Sequence, residues 1–167
     1  ALVREKILTI GENIKIRRFE RFEGIISTYI HAGGRIGVMV KFDTSNDIAQ
    51  KEEFKLYAKD VAMQIAAVNP LYLDEFSVPA DVIEHERKIL TEQVVNEGKP
   101  ENIAGRIVDG KIKKYYKENC LLDQQFVKDS NMSVAQYTEN TAKTLGGDIK
   151  VLDFVRFEKG EGLEKRV

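Results

Sequence analysis

The sequence predicts an α+β fold: antiparallel sheets with packed helices in two related halves, plus an inserted antiparallel helical hairpin. Three observations carry this. Strict alternation over Ile36, Val38, Val40 and Phe42 gives way to helical spacing from Asp47 onward. Two further helical patterns are separated only by Gly98-Lys99-Pro100, and one long pattern occurs twice.

Taken in order, Ala1 to Ile10 reads as a helix, because Val3, Ile7 and Ile10 recur at helical spacing and Gly11 suits the left-handed cap. Strands follow over 14–23, 25–31 and 35–42, rich in β-branched and aromatic residues. Gly24 and Ala32-Gly33-Gly34 supply the turns of a meander. Beyond Asp47, the residues Phe54, Tyr57, Val61, Ile65 and Val68 form one helical stripe, ended by Asn69-Pro70. Helices over 81–97 and 100–117 then form the hairpin. Its seam is thin: Val82-Ile83 and Ile89-Leu90 on one side, Ala104, Val108, Ile112 and Tyr115 on the other. So narrow a stripe suits a projecting arm that gains by packing on something else. Residues 121–127 read as extended, 133–145 as a helix and 149–158 as a last strand. The division is 1–72 for the first part of the core, 73–117 for the helical hairpin and 118–167 for the second part of the core.

The duplicated pattern is G-x-[ND]-I-K-[IV]-x-x-F-x-R-F-E, at 11–23 and again at 146–158. Both copies follow a predicted helix, so a helix, a glycine cap and a strand are expected twice.

Composition sets the limits on function. The chain has 167 residues with a formal net charge of -1, so no overall positive excess favours a phosphate backbone and nucleic acid is not the expected partner. Apolar runs such as 25–30 are too short to cross a bilayer, and the start lacks the succession of a secretory leader, so a cytoplasmic location is expected. A single cysteine, Cys120, rules out an internal disulfide and suits a reducing compartment.

Chemistry is sparse. His85-Glu86 begins like a zinc-protease helix, but position 89 is Ile where a second histidine is required. There is no phosphate-binding glycine loop, no base near Cys120 and no acid–base pair that stands out, so neither a catalytic residue, a metal site nor a cofactor is expected. Lys111, Lys113, Lys114 and Lys117, interleaved with Tyr115 and Tyr116, read either as a solvated helix face or as an RNA- or ribosome-binding cluster. Contact features remain: Ile10-Gly11 where a helix ends, and His31 with Arg35 at a hairpin tip. These describe an interaction protein.

At this point the residues resemble a known family. Ile10-Gly11-Glu12-Asn13-Ile14 with Arg17-Arg18, then His31 with Gly34-Arg35-Ile36-Gly37-Val38, is similar to the core of the bacterial elongation factor Ts family. Gly98-Lys99-Pro100, Gly110 with Lys113-Lys114, Leu121-Leu122 with Gln124, Phe126-Val127, and Phe154 through Glu158 to Gly162 follow in the family's order. Gln125 departs from a frequent proline, which touches local rigidity alone. The resemblance implies a nucleotide exchange factor, not an enzyme, that binds elongation factor Tu in its GDP-bound and nucleotide-free forms and promotes GDP release. It places Ile10 and Gly11 against the partner's nucleotide-binding domain, His31 toward its third domain, Arg35 among the partner-binding residues, and Val82, Ile89, Leu90, Val108 and Ile112 in a dimerisation arm, so a homodimer is one expectation. The family's N-terminal module, its Thr-Asp-Phe-Val motif and its C-terminal module have no counterpart in these residues. The chain is therefore expected to be a core-plus-dimerisation fragment that docks but exchanges nucleotide weakly on its own.

Overall fold

The computed structural model describes residues 1–163. Helix α1 (Leu2–Ile10) closes on Gly11, whose φ of 78° lets its N–H reach back to the Ile7 carbonyl at 2.8 Å. Strands β1 (Ile25–His31) and β2 (Ile36–Asp43) form the predicted hairpin, and β5 (Lys150–Glu158) pairs antiparallel with β2. The sheet order is β1-β2-β5, so the strand farthest along the chain lies beside the first hairpin.

One face of this sheet makes the core. Val38, Val40, Phe42 and Val151 are buried against Phe54, Tyr57, Ala58, Val61 and Ile65 of helix α3 (Glu52–Val68). The helical stripe is thus the one predicted, except that its last member, Val68, is exposed. A short helix α2 (Asn46–Ala49) stands apart from α3, capped by Ser45. Helix α6 (Val134–Leu145) completes the layer and starts on a capping box between Ser133 and Gln136.

Residues 121–127, expected to be extended, instead turn tightly after Cys120 into a small hairpin of β3 (Gln125–Phe126) and β4 (Asp129–Ser133). Buried polar side chains rivet this hairpin to α3. Gln64 donates to the Gln125 carbonyl at 3.1 Å and accepts from the Val127 N–H at 2.8 Å, while Gln124 donates to the Glu118 carbonyl at 2.9 Å. Asp60 accepts from Lys128 at 2.6 Å and from the Tyr137 hydroxyl at 3.1 Å. Beside them Tyr137 stacks on Phe126 with centroids 4.3 Å apart.

The strand expected over 14–23 does not form. Residues 12–23 have no regular structure, Phe19 is 80% exposed, and the lone backbone hydrogen bond starting in the segment is local, from Ile14 to Glu12. A strand is stabilised by backbone bonds that complete its ladder, and this segment meets β5 through side chains such as Arg18 on Phe157, with no backbone hydrogen bond to another strand among the described residues. The repeat therefore holds in its helix and cap and not in its strand. Gly11 and Gly146 both close a helix at φ 78°, but only the second copy continues as a paired strand.

Helices α4 (Ala80–Asn96) and α5 (Glu101–Asn119) form the inserted arm. Its seam differs from the predicted one. Val94, Ala104, Val108 and Ile112 are buried together, flanked by Leu90, Ile107 and Tyr116, whereas Val82 and Ile89 are half-buried and lie outside that cluster. The inward face of α4 is shifted by about one residue and extends further toward the Gly98 turn, because Leu90 and Val94 are one helical turn apart and point the same way. The arm joins the core where Leu71 and Tyr72 donate to the Asn119 carbonyl and Tyr72 bridges Cys120.

Candidate contact surface

The features singled out in the sequence sit at two places. Ile10 ends α1 with its side chain 56% exposed, and no residue of that helix is buried. Leu2 and Leu8 are exposed on the same helix. Gly11 fixes the direction in which the chain leaves, so the Ile10 side chain is held at a corner by backbone geometry.

His31 ends β1, followed by a single 3-10 turn in which Ala32, Gly33 and Gly34 all have positive φ. The Arg35 N–H returns to the His31 carbonyl at 3.1 Å, and the Lys159 N–H bonds the Arg35 carbonyl at 2.8 Å. The tip is thus tied to the end of β5. The imidazole of His31 is tied as well: the Tyr29 hydroxyl lies 3.1 Å from its Nδ1, two residues away on the same face of β1. His31 is exposed, and Nε2 makes no hydrogen bond among the described residues. Tyr29 is a residue that sequence reasoning passed over, although its spacing of two from His31 was the available sign.

No hydrogen bond or ion pair among the described residues joins Ile10 or Gly11 to His31 or Arg35. Two separate exposed features, the second tied by backbone bonds to the end of β5, suit a broad protein surface better than a small molecule.

Elsewhere, reactive groups are disarmed. Cys120 is fully buried, and burial pushes its thiol up to about 12, so it stays protonated. Its role is packing. Desolvation likewise raises Tyr115 and Tyr137 to about 12. In the lysine cluster, Lys111 faces Glu97 at 3.8 Å and Lys114 faces Glu118 at 3.6 Å. Tyr115 and Tyr116 are both half-buried and meet edge to face, with Tyr116 packed on the seam. That arrangement offers no open stacking platform. No helix among the described residues is long and apolar enough to cross a membrane.

The family model described as "Elongation factor TS" matches residues 1–161, which takes in α1, the hairpin tip, the arm and β5 alike. The chain belongs to the elongation factor Ts family. An elongation factor Ts from Clostridium kluyveri is 50% identical over 163 residues, covering 96% of this chain and 52% of the relative. One from Clostridium botulinum is 46% identical over 170 residues, covering 99% of this chain and 54% of the relative. The chain spans about half the length of the elongation factor Ts relatives it matches.

Proposed function

We propose that this chain is a docking piece of a guanine nucleotide exchange factor that binds elongation factor Tu and promotes release of its GDP in the cytoplasm. The observation that carries this reading is the family match over 1–161, with Ile10 and His31 both held outward on it. No bond is made or broken in such a role. Exchange needs a factor that binds the nucleotide-free partner more tightly than the GDP-bound one, since only differential affinity moves the equilibrium. Docking alone shifts nothing, and these residues by themselves are expected to accelerate exchange weakly. The arm serves self-association in the same reading: Val82 and Ile89 lie off the internal seam, and Val95 and Ile103 are exposed beside it.

The test is release of a fluorescent GDP analogue from elongation factor Tu as this chain is added, with binding measured on the same samples. Binding with little acceleration is expected. Acceleration comparable to a complete exchange factor would remove the restriction to docking, and absence of binding would remove the docking itself. Within that assay, His31→Ala should raise the Kd by about tenfold, the effect of truncating one ordered interface side chain, with an unchanged circular dichroism spectrum. An unaltered Kd would take His31 out of the interface.

A further inference from the structure

The hairpin tip borders a shallow cleft that carries more positive charge than it neutralises. Ile16, Arg17, Arg35, Phe157 and Lys159 line it, with Arg18, Glu158 and Glu161 in its walls. Arg18 is used internally: its guanidinium pairs with Glu161 and lies over the Phe157 ring, 4.1 Å from the centroid. Glu158 is held by Arg156 at 2.8 Å. Both wall carboxylates therefore already have cations, whereas Arg17, Arg35 and Lys159 have no carboxylate within ion-pair distance among the described residues.

These three are not loosely scattered lysines and arginines. The backbone bond from Lys159 to Arg35 sets two of them side by side at the end of the sheet, and Arg17 enters from the irregular segment that Arg18 pins to β5. Between them the floor is apolar, with Phe157 half-buried, Gly37 presenting no side chain and Ile16 exposed.

We propose that this cleft is the docking groove for an acidic segment of the protein partner. Its carboxylates meet Arg17, Arg35 and Lys159, and an apolar side chain packs on exposed Ile16 beside the Arg18-covered Phe157 ring. The inference rests on the docking reading above and adds to it the chemistry that the partner must present. An arginine fork binds a carboxylate through two parallel hydrogen bonds, and rim charges of this kind set the association rate. A protein segment fits better than a nucleic acid, because the free cations are confined to three side chains of one cleft and the overall charge of -1 supplies no wider attraction for a continuous line of phosphates.

The experiment compares the whole chain with Arg35→Glu/Lys159→Glu, and with Lys113→Glu/Lys117→Glu on the arm as the control reversal. Association with elongation factor Tu is followed by stopped flow at low and moderate salt. The groove reversal should slow association by about tenfold at low salt and flatten the salt dependence, while the arm reversal matches wild type. Equal rates and equal salt slopes for groove variant and wild type would overturn the proposal. A second arm uses a labelled peptide of alternating Glu and Leu and an oligouridylate of equal charge, both titrated against the same chains. Peptide binding that disappears in the groove variant supports the groove even if elongation factor Tu does not bind, in which case only the docking reading falls. Preference for the oligouridylate, or binding of neither probe together with no binding of elongation factor Tu, overturns the groove. Unchanged circular dichroism of both variants shows that charge, and not folding, is being read.

Discussion

Val94→Asp is expected to open the helical arm while the sheet stays folded. Val94 has no solvent exposure and packs against Ala104, Val108 and Ile112, in a seam with few other buried side chains. A carboxylate there loses its hydration without a cation across the seam to replace it, at a cost of roughly 3–5 kcal/mol, which exceeds what so thin an interface supplies. Circular dichroism should lose helical signal, and proteolysis should cut within α4 or α5 before it cuts the core. Ile89→Asp is the matched comparison. Ile89 is half-buried and outside the seam, so an aspartate there turns to solvent and should cost about 1 kcal/mol or less. Equal damage from the two substitutions would mean that the seam runs through Ile89. If Ile89→Asp spares helicity but abolishes a concentration-dependent dimer, the off-seam face is the self-association surface.

Gln64→Met should be nearly as damaging, by a different route. The side chain is fully buried and roughly the volume of Met, so the change leaves packing close to intact and removes hydrogen bonds. The Val127 N–H and the Gln125 carbonyl are then left without their partner, and Gln124 loses the amide 3.3 Å from its Oε1. Each buried polar group left unmade costs about 1–3 kcal/mol, so a total of roughly 2–4 kcal/mol is expected, read as a lower urea midpoint at unchanged slope. Hydrogen exchange should rise first at β3 and β4, the elements that Gln64 ties to α3. A midpoint within experimental error of wild type would show that water satisfies the orphaned groups.

These two substitutions also mark where sequence reading loses its grip. The break at Gly98-Lys99-Pro100 predicts two antiparallel helices, but which residue faces the partner helix depends on how the pair settles. A step of one position carries a side chain about 100° around a helix, enough to move Ile89 off the seam and bring Val94 onto it. Gln64 sits within an apolar stripe as an unremarkable polar residue. Its importance appears only when β3 and β4 fold back and present unsatisfied backbone groups to it. The cleft beside His31 is assembled from residues 16–18 and 157–159, which no local pattern connects.

Short-range periodicity and caps are legible in the residues directly. So are the alternation that makes β2, the stripe that makes α3, the glycines that close α1 and α6, and the motifs that place the chain in its family. Long-range pairing settles the remainder. Residues 14–23 and 149–158 share one pattern, yet only the second copy is a strand, because it pairs with β2, whereas the first reaches β5 through side chains and makes no ladder with it. Helical periodicity is stabilised within a segment, through hydrogen bonds four residues apart. A strand's hydrogen bonds all lie outside itself, so its existence is settled by what the rest of the chain brings alongside.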